Sequence, residues 1–298
     1  MKEFTLGFKA RAAGYRLRAF DSIGSTNAEA LAAAASGDPG GIWFAARQQT
    51  AGRGRRGRPW ESPHGNLAAT LLIVPDCDPT LSATLGFVAG VSLSRALSVV
   101  LPDGLVRIGV DGADGQDGRS RIALKWPNDV LADGAKLSGI LLEAHRLPDG
   151  RQAIAIGIGV NVVAAPQGLP YPATSLQELG VPRQAEDVFV ALSDAWTESF
   201  SLWDDGRGID AVLTHWRASA AGIGAPVAVN QDGAVLRGIF ESIDDVGRLI
   251  VRAEDDRLIA ITAGGQRPAP EADHQLRRRP ATKVRSGVAF ERNELTHG

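Results

Sequence analysis

Gln48-Gln49-Thr50-Ala51-Gly52-Arg53-Gly54-Arg55-Arg56-Gly57-Arg58-Pro59-Trp60 is the stretch that decides between two folds. Gly52, Gly54 and Gly57 satisfy G-x-G-x-x-G. A dinucleotide-binding turn, however, opens a helix inside its glycines and keeps small or apolar residues between them. Here Arg53, Arg55 and Arg56 intervene and Arg58-Pro59 follows, a poor helix opening. The Rossmann reading is set aside. Glycines allow the backbone to wrap closely around a ligand. Arginines supply fixed forks of donors for carboxylate and phosphate oxygens. Four arginines this close repel one another, so the loop is expected to be mobile and to order when an anion arrives. A solvated basic loop or a nucleic-acid patch is the plainer alternative. The flanking Gln49 and Trp60 suit a pocket better.

Downstream, Lys125-Trp126-Pro127-Asn128-Asp129-Val130 precedes Lys136-Leu137-Ser138-Gly139-Ile140-Leu141-Leu142-Glu143. Pro127-Asn128-Asp129 is a turn signal near a strand end. A hairpin there would bring Lys125 and Lys136 together, and an ordinary hairpin with two surface lysines fits equally well. Ala155-Ile156-Gly157-Ile158-Gly159-Val160-Asn161 is an apolar strand holding two glycines. Such glycines mark close approach of a ligand or another backbone, or simply a tightly packed central strand.

Outward from these segments, strands are expected at Tyr15–Phe20, Ile42–Arg47, Asn66–Val74, Ile122–Trp126, Leu137–Glu143 and Ala153–Val163. The spacing of the last three suits neighbouring, mostly antiparallel strands. Helices are expected at Ser25–Ala35, opened by a Thr26/Glu29 capping box, and at Thr80–Val100, Glu186–Trp203 and Ile209–Ala220. Gly104–Ser120, rich in Gly and Asp, reads as a surface loop or irregular hairpin. From Ala225, short strands alternate with turn signals, which predicts a β-barrel of about 40 residues such as an SH3-like unit. The expected domains are 1–222, 223–266 and a basic, Pro-containing tail over 267–298, expected to be disordered.

The 298 residues are 44% hydrophobic and 22% charged, enough for a sizeable core, and the net charge is −2. That balance gives no global pull toward nucleic acid or anionic membrane. The longest apolar stretch, 83–101, contains Arg95 and serines and reads as a buried helix, not a membrane span. With no signal-peptide core near the N-terminus, a cytoplasmic protein is expected. Cys77 is the single cysteine, which excludes an internal disulfide. Its neighbours Asp76 and Asp78 would raise its pKa and argue against a nucleophile.

Together and in this order, after Ser25-Thr26-Asn27, the three segments resemble the biotin protein ligase family from about residue 21 to residue 265. Either the GRGRRGR loop or the KWPND segment alone would be weak; the pair is specific. The resemblance implies an α+β fold: a class II aminoacyl-tRNA synthetase-like mixed sheet with helices, then the SH3-like barrel. It implies that biotin and ATP, with Mg2+ on the phosphates, form biotinyl-5'-AMP, and that biotin passes to a lysine of a biotin carboxyl carrier protein. It implies that Ser25, Thr26, Asn27 and Gln49 bind biotin, with the ureido ring against Ser25, Thr26 and Gln49. Gly52, Arg53, Gly54 and Arg55 would close over the carboxylate and adenylate phosphate, with Lys136 on the reacting oxygens. Trp60 and Asn161 would hold adenine, beside Lys125 and Asn128. Asp129 is the candidate proton acceptor for the lysine amine. Arg53, Arg55, Lys136 and Asp129 are thus the implied catalytic set.

Some members of the family carry an N-terminal DNA-binding domain. About 20 residues precede the STN region here, so no sequence-specific DNA binding is expected. A homodimer through a sheet edge is a further implication. Two rivals remain. A lipoate or octanoate ligase would share the fold and the adenylation, with an apolar tunnel in place of the ureido pocket. A nucleic-acid-binding module would use the arginine loop, the barrel and the tail, against the net charge and the lack of interleaved aromatics.

Overall fold

A computed structural model describes residues 2–102, 106–108, 120–231 and 234–263. The chain divides into two units, Met1–Gly265 and Gln266–Gly298, the second outside the described residues. The expected tail therefore lies outside them, as does most of the expected 104–120 loop.

The first unit begins with a short helix α1 (Phe8–Ala12), which the sequence reading did not anticipate. Then come β1 (Arg16–Ile23), α2 (Thr26–Ala35), β2 (Ile42–Gln49), β3 (Leu67–Ile73) and α3 (Leu85–Val100). β4 (Val106–Ile108), β5 (Ser120–Lys125), β6 (Asp129–Ala132), β7 (Ala135–Arg146) and β8 (Gln152–Val160) follow. Helices α4 (Ala185–Trp203) and α5 (Ile209–Ala218) close this part. Strands β1 to β8 form one mixed sheet in the order β1-β2-β3-β8-β7-β6-β5-β4. The pairs β1/β2 and β4/β5 are parallel, and every pair between them is antiparallel.

Local differences from the expectations have physical causes. The helix expected over 80–100 starts as a 3-10 turn at Pro79–Thr84, because Pro79 follows Asp78, whose side chain caps Thr80 N at 2.8 Å. Only from Leu85 does the α-helical ladder run. Ser25, one residue earlier than expected, is the N-cap of α2 and accepts from Ala28 N at 3.4 Å. Asn66 stays outside β3 because its Oδ1 accepts three backbone N–H groups, from Val162, Val163 and Ala164, at 2.9, 2.9 and 3.2 Å. The strand expected to reach Val163 therefore ends at Val160.

Pro79–Val100 is long and apolar enough, by length and composition, to cross a membrane, yet 72% of its apolar window is buried inside the fold. Helices α3 and α4 cover one face of the sheet, and α5 packs against both helices. Trp43, Phe189, Trp196 and Trp203 lie at its centre, all fully buried. On the other face α2 packs Ala30 and Ala34 against Phe44, Leu72 and Ala155. Burial of such aromatic and aliphatic side chains contributes about 1.5–3 kcal/mol each.

From Pro226 the chain forms a second, four-stranded antiparallel sheet, β9 (Pro226–Gln231), β10 (Ala234–Ile243), β11 (Leu249–Arg252) and β12 (Leu258–Ile261), in the order β12-β11-β10-β9. Trp126 Nε1 donates to Gly247 O at 3.0 Å, and Arg217 donates to Ile243 O, so this sheet is tied to the β5–β6 turn and to α5.

Arg47 on β2 gathers the N-terminal segment, β1 and α4. Its Nε donates to Glu186 Oε1 at 2.6 Å, another nitrogen to Asp21 at 3.1 Å, and a third to the Lys2 carbonyl; the guanidinium lies 5.4 Å from the Phe4 ring centre. The Glu186 side chain is 5% exposed. Removing only its partner strands a buried charge, which costs about 3–5 kcal/mol. Arg47→Met should therefore lower the unfolding free energy by about 3 kcal/mol, measured by urea denaturation. A loss under about 1 kcal/mol would show that water solvates Glu186.

Candidate active site

The floor of the site is the surface of β7 and β8 where three β-carbons are missing. A methyl group on Gly159 would lie 2.5 Å from the Trp60 indole, and one on Gly139 would lie 3.1 Å from it. A methyl on Gly157 would meet Asn27 Oδ1 at 2.3 Å. Gly157 and Gly159 thus mark close approach of side chains, an indole and an amide. Gly139 and Gly159 are register partners, so the Trp60 ring lies across adjacent strands.

Ser25, Thr26 and Asn27 open α2 at one end of this floor and are 7%, 3% and 5% exposed. Thr26 donates from its backbone N at 2.8 Å and from its hydroxyl at 2.9 Å to Gln49 Oε1. Asn27 Nδ2 donates to Glu143 Oε2 at 2.7 Å. Gln49 lines a cleft of about 630 Å³ together with Gly52, Trp60, Ser62, Ala165 and Gln167.

The Gly/Arg loop folds back on itself. Gly54 N bonds Arg58 O at 2.7 Å, Trp60 N bonds Gly52 O at 3.0 Å, and Arg55–Gly57 makes a single 3-10 turn. The loop reaches the floor through two arginines. Arg53 donates to Glu143 Oε2 at 3.1 Å, and Arg55 donates to Asn128 Oδ1 at 3.1 Å. Burial holds the Arg55 guanidinium below its ordinary pKa; repulsion from Arg56 adds to this and Asp129 opposes it. An arginine so placed stays cationic.

Lys136 and Asp129 form an ion pair at 2.7 Å. The Lys136 ammonium lies 5.5 Å from the Trp60 ring centre and 5.6 Å from that of Tyr171, cation–π distances on both sides. Asn128 Nδ2 donates to Ile140 O at 2.6 Å, and Ile140 N returns a bond to Asn128 O at 2.9 Å, which fixes the turn against β7. Lys125 lies opposite Asp129 in the β5/β6 register and is exposed.

The structure thus gathers Thr26, Asn27, Gln49, Gly52, Arg53, Gly54, Arg55, Trp60, Asn128, Asp129 and Lys136 around one floor. Ser25 is engaged as the helix cap. Asn161 is 1% exposed, and its Nδ2 donates to Thr174 O at 3.0 Å, so it braces the 172–176 segment beneath the site. Its Oδ1 has no hydrogen-bond partner. Glu143, Tyr171 and Thr70 were not singled out from sequence. Thr70 is the one polar residue of the wholly buried strand β3, a signal that could have found it. Cys77 is a free thiol away from this constellation; burial, then Asp205, Asp78 and Asp76, push its pKa up. Among the described residues no group of three or more His, Cys, Asp or Glu could hold a metal ion.

Arg53, Arg55, Lys136, the Trp60 indole and the Thr26–Gln49 hydroxyl–amide pair thus occupy one part of the fold. Residues 21–161 match the biotin/lipoate A/B protein ligase family, and residues 222–265 match the biotin protein ligase C-terminal domain. A biotin–[acetyl-CoA-carboxylase] ligase of Paracoccus denitrificans is 39% identical over 244 residues, 79% of this chain and 93% of that protein. One from Mycobacterium tuberculosis is 36% identical over 244 residues, 81% of this chain and 84% of its own. A solved structure of the Aquifex aeolicus biotin protein ligase in complex with biotin and ATP has the same fold, with a TM-score of 0.66 at 23% identity over 84% of this chain and 96% of that one. The chain belongs to the biotin/lipoate A/B protein ligase family.

Gly159→Ala should push the Trp60 ring off β8, because 2.5 Å is closer than carbon atoms approach. Overpacking of this kind costs about 1–3 kcal/mol, so cleavage of the 53–58 loop by trypsin should rise about tenfold. An unchanged cleavage rate would show that the ring does not hold the loop down.

Proposed function

We propose that the chain activates biotin with ATP as biotinyl-5'-AMP and transfers the biotinyl group to a lysine of a biotin carboxyl carrier protein. It is a ligase. The observation that carries the site reading is the meeting of two distant segments: the Gly/Arg loop and the 125–143 hairpin converge at Trp60, Lys136 and the glycine floor.

Biotin has a ureido head and a carboxylate tail. Thr26 and Gln49 offer a hydroxyl and an amide side by side, which suits the head. Ser25 sits at the same end. The tail then points toward Arg53, Arg55 and Lys136. A carboxylate oxygen attacks the α-phosphorus of ATP and pyrophosphate leaves. Two anions must approach one another, and fixed cations lower that barrier. Magnesium carried on the ATP phosphates would neutralise part of their charge, and no side chain is assigned to hold it. The adenine is placed beside Trp60, with Lys125, Asn128 and Asn161 in or behind the wall. In the second step the lysine amine attacks the acyl carbon and AMP departs. Asp129, oriented by Lys136, accepts the amine's proton. Gly52 and Gly54 let the loop lie over the mixed anhydride and keep water away.

The reading also includes a class II synthetase-like sheet, an SH3-like closure of β9–β12, domains bounded near residues 222 and 266, and a cytoplasmic setting. ATP–pyrophosphate exchange by the purified chain tests the function. Exchange should require biotin and magnesium and should not occur with lipoate or octanoate. Exchange with either fatty acid instead would move the substrate and keep the fold. Gln49→Leu removes the amide that suits the ureido ring, and burying unpaired polar groups of the ligand costs about 1–3 kcal/mol. The KM for biotin should rise about tenfold or more, with that for ATP nearly unchanged. Equal effects on both would remove Gln49 from the head-group pocket.

A further inference from the structure

Thr70 is fully buried beneath the site, between the start of α2 and β8. Its Oγ1 lies 2.7 Å from Thr26 Oγ1 and 2.6 Å from Asn27 Oδ1. Thr26 Oγ1 lies 2.9 Å from Gln49 Oε1. At the far end Asn27 Nδ2 bonds Glu143 Oε2, the oxygen that also takes Arg53. The amide orientations are determined by their partners. Thr26 N–H donates to Gln49, so that atom is an oxygen. The Glu143 carboxylate only accepts, so the nitrogen of Asn27 faces it and the oxygen faces Thr70.

The chain Gln49–Thr26–Thr70–Asn27 therefore holds three oxygen–oxygen contacts and only two hydroxyl protons. One contact always goes without a proton. If Thr26 donates outward to Gln49, Thr70 must choose between Thr26 and Asn27. If Thr26 donates inward, Thr70 is free to donate to Asn27 and the deficit falls at Gln49. A short oxygen pair without a proton is repulsive, so whatever satisfies Gln49 from outside decides the direction of the whole chain.

We propose that Thr70 is a positioning residue that couples occupancy of the Thr26–Gln49 end to the hold on Arg53, and so to the Gly/Arg loop. The identity of the ligand rests on the biotin-ligase reading. A ureido N–H that donates to Gln49 Oε1 draws this oxygen off Thr26. The Thr26 hydroxyl turns inward, Thr70 donates to Asn27, and the Asn27 amide is held with its nitrogen toward Glu143. Glu143, fixed in place by Asn27, stays where its carboxylate takes Arg53. The head group is sensed at one end, and the first arginine of the loop is secured at the other.

Trypsin reads the loop directly, because Arg53, Arg55 and Arg56 are its targets. In the full chain, saturating biotin should slow cleavage there about tenfold, a typical coupling between two sites. Thr70→Val keeps the shape and removes the hydroxyl. It should still bind biotin by calorimetry, while protection by saturating biotin falls below about twofold. Thr70→Ser should restore it. Glu143→Gln weakens the other end and should lose protection in the same way, which keeps the test decisive if the valine variant does not fold. Wild-type protection in whichever of the two variants folds and binds biotin would overturn the relay. A wild-type chain that neither binds biotin nor exchanges pyrophosphate would overturn the site reading instead.

Discussion

Three absent β-carbons govern the site. Gly139, Gly157 and Gly159 leave the centre of an otherwise close-packed sheet bare on one side, and an indole and an amide lie directly on the backbone. Apolar strands normally bury such a surface under aliphatic side chains. Here Trp60 and Asn27 cover the strip, with cations near the indole and hydroxyl and amide groups near Asn27. The sheet supplies a flat, rigid base, and the chemistry is delivered by elements that reach across it. Any side chain larger than hydrogen at these positions would displace Trp60 or Asn27, and with them the contacts that bring Arg53 and Lys136 to the same place.

Charge arrangement follows from that base. Arg53, Arg55 and Lys136 would repel one another in isolation, and each has a polar or acidic partner: Glu143, Asn128 and Asp129. The partners lie on β6, β7 and the turn before them, not on the loop. The loop's position is thus determined by a separate, rigid hairpin. The three cations are thus brought together by the partners that the hairpin carries.

Much of this was legible in the sequence, for identifiable reasons. Strands with apolar runs declared themselves, such as the strand expected at Ile42–Arg47, whose first five residues are buried, and Leu67–Ile73 within the one expected at Asn66–Val74, since burial on both faces leaves only one residue class. The GRGRRGR loop and the KWPND turn were legible because glycine, proline and arginine clusters have few physical uses. Three things were not. The 3-10 start of the helix at Pro79 is a competition between a side-chain cap and the backbone ladder. The short helix at Phe8–Ala12 is held by tertiary contacts with α4, where Gly7 N meets Ser193 and Ala10 N meets Asp194. Strand β6 is only four residues long, and its pairing is visible only once β5 and β7 flank it. The site residues missed, Thr70 and Glu143, act on other side chains; their neighbours lie 43 to 116 positions away in sequence.

The hydrogen bond from the Trp126 indole to the Gly247 carbonyl spans 121 positions. On the ribosome, the turn that carries Asn128 and Asp129 emerges long before its support does. At about 5–20 residues per second, several seconds of synthesis separate the two. During that interval the turn has its local bonds to Ile140 and lacks only the tie from Trp126. The small C-terminal sheet thus adds a late, long-range tie to a turn that β7 already holds locally.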